Sequence, residues 1–114
     1  MSVLQMTARL SIHPGTILEF KTRAADCMQA TQKDSGTLRY DWFLNDDETE
    51  CVVVEAYRNS EAVLEHLANL GPALNALLEV SDIDIEVYGA PSPDLLKAGA
   101  ALAPKVYTSF LQGL

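Results

Sequence analysis

Residues 38–70 constrain the fold of this chain more than any other segment, because two strand signals and a helix signal follow one another there without interruption. Large side chains alternate along residues 38–44, which predicts a β-strand with bulky groups on both faces. An acidic turn at 45–49 precedes Cys51–Tyr57, a segment dense in the β-branched valines that favour strands. An N-cap signal and an apolar stripe then predict a helix over residues 60–70. This segment is therefore predicted to be a β-hairpin followed by a helix.

The rest of the chain adds elements of the same two kinds. Strict alternation of apolar and polar residues predicts two further strands, and apolar residues at helical spacing predict three further helices. These elements are strands at 8–13 and 83–88, helices between Thr16 and Gly36, after Gly71-Pro72 and at 94–102, and an irregular tail at 104–114.

The order strand, helix, strand, strand, helix, strand is the split βαβ arrangement of ferredoxin-like α+β folds. Both main helices then cover one face of an antiparallel sheet. About four strands with one bare face make a poor monomer, because edge strands and exposed rings favour association. Alternation assigns Ala8, Leu10, Ile12, Ile83, Ile85 and Val87 to the covered face, and Arg9, Ser11, His13, Asp84, Glu86 and Tyr88 to the other face.

The strand ending in Glu55-Ala56-Tyr57, the short turn after it and the helix carrying His66 resemble the central part of the antibiotic biosynthesis monooxygenase family. The resemblance spans roughly residues 7–90. It implies one domain over residues 1–114, with its core at 7–90 and a short C-terminal helix and tail at 91–114. It also implies a dimeric α+β barrel, a homodimer in which two sheets pack face to face.

The resemblance further implies a reaction. Quinol oxygenases of that family use no metal or flavin, because an electron-rich phenolic substrate reduces oxygen itself once it is deprotonated. The expected function is therefore a cofactor-independent monooxygenase that oxidises a quinol or polycyclic phenol, with a small aromatic molecule and O2 as its ligands. Haem-degrading relatives bind haem iron through a histidine slightly farther along the second helix. This chain has Leu70-Gly71-Pro72 there, so haem degradation is disfavoured.

His66 and Glu55 are the candidate catalytic residues. His66 lies beside the apolar stripe of its helix, where a histidine can exchange a proton near neutral pH. Glu55 follows a run of valines, and apolar surroundings would raise its pKa enough for it to act as a base. The alternatives are a structural histidine satisfied by a backbone carbonyl, Glu55 or Glu65, and a salt bridge from Glu55 to Arg9 or Arg39 across the dimer.

Trp42, Tyr40, Tyr57 and Asn69 are the candidate substrate-binding residues. Tyr40 and Trp42 share one face of the second strand and Tyr57 ends the third, so their rings would suit a flat substrate. Asn69 offers hydrogen-bonding groups. Large aromatic residues on strands more often belong to the core or to an interface, and only strand register can assign the face of Trp42.

Composition argues against several other functions. A net charge of −8 over 114 residues, with basic residues scattered singly, argues against binding to nucleic acid or to an anionic membrane surface. Cys27 and Cys51 lie at no metal-binding spacing and are expected to be free, functionally silent thiols. No apolar run approaches the ~20 residues of a membrane span, and no export signal is visible, so a cytoplasmic protein is expected.

Two further functions remain open beside the monooxygenase. One is a non-catalytic dimer that binds a small aromatic ligand or serves a stress response, since a fold does not establish a function. The other is an isomerase, decarboxylase or lyase that uses the same histidine and cleft. Oxygen uptake with quinols distinguishes the monooxygenase from both.

Overall fold

The structure is a computed structural model and describes residues 3–114. No helix in that range has the length and apolar character needed to cross a membrane. In chain order the elements are β1 (Leu4–Ile12), α1 (Ile17–Thr31), β2 (Thr37–Leu44), β3 (Glu50–Tyr57), α2 (Ser60–Leu70), α3 (Pro72–Leu78), β4 (Ser81–Tyr88), α4 (Pro93–Ala98), a 3-10 helix (Ala100–Leu102) and β5 (Lys105–Tyr107).

The strands follow the order β2-β3-β1-β4-β5 in one sheet. The first four pair antiparallel, and the helices pack on one face of the sheet, as the ferredoxin-like arrangement requires. The predicted fold class is therefore confirmed. The sheet of one chain is not closed, so a barrel would need a second copy.

The C-terminal tail differs from the prediction, because it contains a strand. Residues Lys105–Tyr107 pair in parallel with β4 and make the sheet mixed rather than wholly antiparallel. The backbone N of Gly89 donates to the Tyr107 carbonyl oxygen at 2.9 Å, and Ala103 adopts a left-handed φ of 47° just before the strand. A strand of three residues is too short to show alternation, so sequence periodicity carries no signal for it.

Burial alternates along β1 and β4 as predicted, whereas in β2 Leu38 and Leu44 are exposed and the register with β3 shifts between Thr37 and Arg39. The covered face of β1 and β4 carries the expected aliphatic residues, while Arg9, Ser11, Asp84 and Tyr88 lie exposed on the opposite face. Inward-facing residues that pair on neighbouring strands form rows across the sheet. One such row consists of Tyr40, Glu55, Met6, Val87 and Val106.

Helix α2 has well-defined ends. Asn59 Oδ1 accepts a hydrogen bond from the backbone N of Ala62 at 2.9 Å, which confirms the predicted N-cap. At the other end Gly71 adopts a φ of 49°, and Pro72 occupies the first turn of α3. The chain therefore bends between the two helices, and His66 lies on the buried side of α2.

Candidate active site

A cavity of about 90 Å³ lies between the inward face of the sheet and the helices. Its walls include α2, α3 and the C-terminal segment, which we define as residues 91–106. Every candidate site residue except Asn69 lines this one space: His66, Glu55, Trp42, Tyr40 and Tyr57. The remaining walls are mainly apolar and include Met6, Leu70, Leu74, Val87, Leu95, Leu102 and Val106.

His66 forms a hydrogen-bonded pair with Asp34. His66 Nδ1 lies 2.7 Å from Asp34 Oδ2, and the two side chains are only 4% and 1% exposed. Asp34 lies in the turn between α1 and β2, 32 residues away in sequence. The partner of His66 in the described chain is therefore Asp34, rather than the expected Glu55, Glu65 or backbone carbonyl.

The surroundings of this pair determine where its proton lies. Burial raises the pKa of Asp34, but hydrogen bonds from Asn69, Thr37 and His66 outweigh burial and hold that pKa below its ordinary value. Burial lowers the pKa of His66, although the contact with Asp34 opposes this. Near neutral pH, Asp34 is an ionised acceptor and His66 is a neutral imidazole with its proton on Nδ1. Nε2 is then free of a proton, as a general base requires.

Polar contacts fix the turn that carries Asp34. Thr37 Oγ1 donates to Asp34 Oδ2 at 2.6 Å, and Asn69 Nδ2 donates to Asp34 Oδ1 at 2.8 Å. Glu65 Oε1 accepts hydrogen bonds at 2.9 Å from the backbone N and from the Oγ of Ser35. Contacts of this kind hold an imidazole in one orientation. Asn69, a candidate substrate ligand, thus lies behind Asp34 and outside the set of described residues that line the cavity.

Asp34 and Thr37 are the site residues that sequence reasoning missed. Residues 34–36 have the composition of a helix terminator, and that interpretation hides the role of the carboxylate. One signal does point to it. An acidic side chain just after a helix C-terminus faces the negative end of the helix dipole, so a compensating partner is expected nearby.

Glu55 and Tyr57 form a second buried pair. Tyr57 Oη donates to Glu55 Oε1, and Glu55 is 8% exposed. Burial raises the pKa of Glu55 to about 7, although the hydrogen bond from Tyr57 opposes this, so Glu55 is partly protonated at neutral pH. A salt bridge to Arg9 or Arg39 does not fit, because Glu55 faces the helices. Both arginines lie on the opposite face, where Arg39 Nε contacts Asp41 Oδ2 at 2.6 Å.

Tyr40 and Trp42 face the cavity rather than the outer face of the sheet. The Tyr40 ring centroid lies 4.9 Å from that of His66 and 5.6 Å from that of Trp42. Burial raises the pKa of Tyr40, so its hydroxyl keeps its proton. Trp42 Nε1 is buried without a hydrogen-bond partner among the described residues. A ligand with an acceptor oxygen would satisfy this donor.

The cysteines lack the properties of reactive thiols. Both are free and buried, and burial raises the pKa of Cys27 and of Cys51 to about 11, which suppresses the thiolate. The second histidine, His13, lies on the surface with its Nε2 3.1 Å from Asp82 Oδ1. Across residues 3–114, no group of three or more His, Cys, Asp and Glu side chains is arranged to hold a metal ion.

Glu55→Gln will make folding stability less sensitive to pH. The unfolded chain ionises this carboxyl near pH 4.5, whereas the folded chain holds the proton until about pH 7. The contribution of Glu55 to stability is therefore complete below pH 4.5, is lost as pH rises through 7, and stays lost above it. The free energy of unfolding of the variant, relative to the wild type, should rise by about 3 kcal/mol between the two ends of this window. Urea unfolding at both ends measures it, and a difference independent of pH would show that Glu55 is not buried as described.

The sequence matches a model of the antibiotic biosynthesis monooxygenase family over residues 4–71. This range is more than half of the chain and contains Asp34, Glu55, Tyr57 and His66. Comparison with curated protein sequences gave no match.

Several solved structures share the fold. MupZ from Pseudomonas fluorescens has 23% sequence identity and a TM-score of 0.84, covering 100% of this chain and 95% of that chain. SnoaB, a cofactor-independent oxygenase from Streptomyces nogalater, has 20% identity and a TM-score of 0.69, covering 81% and 96% of the two chains. Rv0793 from Mycobacterium tuberculosis has 22% identity and a TM-score of 0.69, covering 80% and 96%. At such identities the likeness shows the fold alone.

Proposed function

Because this chain belongs to the antibiotic biosynthesis monooxygenase family, we propose that it is a cofactor-independent monooxygenase that oxidises a quinol or a polycyclic phenol. The observation that carries the proposal is the buried pair of His66 and Asp34, in which the imidazole of a cavity-lining residue is held through Nδ1, so that its Nε2 is left to act as a base. SnoaB, which shares the fold, is a cofactor-independent oxygenase, and this supports the reaction type.

The proposed reaction begins with transfer of the phenolic proton to His66 Nε2. The resulting anion gives one electron to O2, and the two radicals combine into a peroxide at a ring carbon that carries hydrogen. Loss of water from the peroxide leaves a carbonyl group at that carbon. One atom of O2 enters the product, the other leaves as water, and the substrate supplies the electrons. The apolar walls keep bulk water away from the anion while the ring is held in place.

Glu55 and the aromatic side chains have separate roles in this scheme. His66 returns the phenolic proton to the peroxide anion. As the O–O bond breaks, Glu55, which is partly protonated near pH 7, gives a proton to the departing oxygen, and His66 takes the proton of the ring carbon. Transfer of that proton from His66 to Glu55 restores both residues. The rings of Trp42, Tyr40 and Tyr57 contact the flat substrate and orient it. Asn69 acts through Asp34, whose carboxylate it holds in place.

Oxygen consumption with a panel of quinols and phenols tests the proposed function. We expect protein-dependent oxygen uptake with at least one compound, unchanged by a chelator. With ¹⁸O2, the product should carry one labelled oxygen atom and the water should carry the other. Compounds that bind the protein without any uptake above the uncatalysed rate would contradict a monooxygenase.

We also propose that the protein is a homodimer joined through the outer face of the sheet. The β3 side of this face is apolar, with Val52, Val54 and Ala56 partly exposed and Phe43 53% exposed beside them. Sedimentation at micromolar concentration should therefore show a dimer, because a second copy would cover this apolar area. Val54→Lys should shift the equilibrium to monomer, whereas Leu18→Lys on the exposed side of α1 should not. A wild-type monomer would contradict the proposal.

Trp42→Phe will raise KM about 2- to 10-fold and change kcat little. The substitution keeps an aromatic ring but removes the Nε1 donor, and one hydrogen bond is worth that factor in binding. Contacts made equally in the ground and transition states affect KM rather than kcat. Steady-state kinetics compares this variant with Leu18→Ala, a change on the protein surface. A fall in kcat at unchanged KM would place Trp42 in the chemical step instead.

The alternative function is a non-catalytic dimer that binds a small aromatic ligand. The rings of Tyr40 and Trp42 and the Trp42 Nε1, unpartnered among the described residues, favour this alternative, because they could bind such a ligand without any reaction. A ligand-induced rise in melting temperature without turnover would support it. In either case we propose a cytoplasmic protein, since a reducing compartment keeps Cys27 and Cys51 as free thiols.

A further inference from the structure

The cavity changes character along its length, from aromatic and acidic at one end to aliphatic at the other. The inward row that includes Tyr40, Glu55 and Val106 crosses all five strands. Neighbouring strands lie about 4.8 Å apart, so this row spans roughly 19 Å. The acid–base groups lie over β2 and β3. The described residues that line the β4 and β5 end carry no charged or hydroxyl group.

The C-terminal segment builds the aliphatic end. Leu95 is 7% exposed, and Leu102 and Val106 are partly buried against the same cavity. The charged side chains of this segment, Asp94, Lys97 and Lys105, are exposed. A polar substituent placed against such a wall would lose its water without gaining a partner, so the wall favours apolar groups only. The segment also lies outside the residues that match the family.

We propose that the substrate is an amphiphile, a phenol or quinol whose aliphatic chain lies beneath the C-terminal segment. Its hydroxylated ring lies against Trp42, Tyr40 and His66, and its chain points toward Val106. Three strand spacings, about 14 Å, separate Glu55 from Val106, and this distance matches the length of an extended chain of roughly ten carbons. This inference depends on the proposed function for the chemistry of the ring, but not for the position of the chain.

The unpartnered donor of Trp42 fixes the direction of the ligand. Trp42 Nε1 lies at the β2 end, buried and without a partner among the described residues, so a ring oxygen there would complete its hydrogen bonding. If the ligand were reversed, this oxygen would lose its hydrogen bonds to water and find no donor in the protein, because the far wall is aliphatic. The polar head therefore lies at the β2 end and the chain at the β5 end.

The cavity must widen to hold this ligand. Its volume of about 90 Å³ is smaller than the cavity of ~150 Å³ that accommodates benzene in another protein. The proposal therefore requires the C-terminal segment to move outward. This segment is held by the pairing of the three residues of β5 with β4, by a hydrogen bond at 2.9 Å from the Ser92 backbone N to Ser60 Oγ, and by the packing of Leu95 and Leu102 on the core.

The test is a binding series without turnover. Under argon, 4-alkylphenols with methyl, butyl, hexyl, octyl and decyl chains are titrated against the wild-type protein, with 2-naphthol as the fused-ring probe. Trp42 is the only tryptophan in the chain, so its fluorescence reports occupation of the cavity. Affinity should rise about fourfold per methylene group, at a stoichiometry of one ligand per chain. No gain from butyl to octyl, or tighter binding of 2-naphthol than of octylphenol, would overturn the proposal.

A matched pair of variants locates the chain. Leu102→Trp fills the aliphatic end, whereas Ala101→Trp places the same group on the exposed side of the 3-10 helix. In calorimetry, only Leu102→Trp should lower the affinity for octylphenol, by about tenfold or more. The affinity for methylphenol should be the same in both variants as in the wild type. Leu102→Ala, which makes room rather than removing it, should keep the dependence on chain length. Equal effects of the two tryptophan variants would overturn the proposal.

The outcomes separate this inference from the proposed function. If affinity follows chain length but no quinol is oxidised, the aliphatic site stands and the monooxygenase assignment fails. If quinols are oxidised at rates and affinities that ignore chain length, the monooxygenase stands and the aliphatic site fails.

Discussion

Replacing His66 with alanine will lower kcat by about 10²- to 10⁴-fold, the usual contribution of a general base, with little change in KM. Nε2 is the only unprotonated nitrogen of a ring held by Asp34, and the substrate needs its base only when the phenolic proton leaves. His66→Gln is the companion variant, because its amide can still donate to the Asp34 carboxylate while it cannot accept the substrate proton at neutral pH.

Stopped-flow and steady-state oxygen uptake measure this prediction, with His13→Ala as the control for removing a histidine from the surface. Glu55→Gln is measured beside it, since a carboxyl group with a pKa of about 7 can also act as a base. If Glu55→Gln abolishes turnover and both His66 variants retain it, the base is Glu55. If neither residue affects the rate while the fold persists, the chemistry does not take place in this cavity.

Asp34→Asn will lower kcat by a similar factor, about 10²- to 10⁴-fold, although Asp34 itself does not contact the substrate. The two carboxylate oxygens together accept hydrogen bonds from Thr37, Asn69 and His66. An amide cannot replace them, because only one of its two polar atoms is an acceptor. An amide nitrogen facing His66 would place the proton on Nε2 and leave no base at the cavity. Asp34 is therefore a positioning residue.

The dependence of kcat/KM on pH distinguishes positioning from a structural role. In the wild type, activity should rise with pH through a pKa below 6.5, because burial lowers the pKa of His66. Asp34 raises that pKa, so the Asn variant should show its acidic limb at still lower pH. Asp82→Asn is the matched control, because it makes the same change in the exposed aspartate–histidine pair with His13. An unchanged pH profile in Asp34→Asn would mean that the residue only supports the fold.

The fold was predictable because it depends on local patterns. Alternation over residues 8–13 and 83–88 indicates which side chains face the helices, and Asn59 and Gly71-Pro72 mark the ends of α2. β5 was not predictable, because three residues are too few for a period and its pairing with β4 is a long-range contact. The apolar residues on the outer face predict that another surface covers this face, but they do not identify that surface as a second copy of the chain.

The candidate site was predictable only in part. His66, Glu55 and Tyr57 stand out because polar or aromatic groups interrupt apolar stripes. The partner of His66 was missed because Asp34 is 32 residues distant, and a turn residue that ends a helix has an ordinary structural explanation. Asn69 was assigned to the substrate from its residue type alone, whereas its hydrogen bond goes to Asp34. Contacts between distant segments decide such roles, and composition and spacing do not encode them.

The protonation of His66 in the wild-type protein, read from the ¹⁵N shifts of its ring by NMR, shows most directly whether this residue is a general base held by Asp34. The chain has two histidines, so a His13→Gln variant assigns both sets of signals. We expect His66 to be neutral at pH 7 with its proton on Nδ1, and to move that proton to Nε2 in Asp34→Asn. A wild-type His66 that is doubly protonated at pH 7, or that carries its proton on Nε2, would contradict a general base held by Asp34.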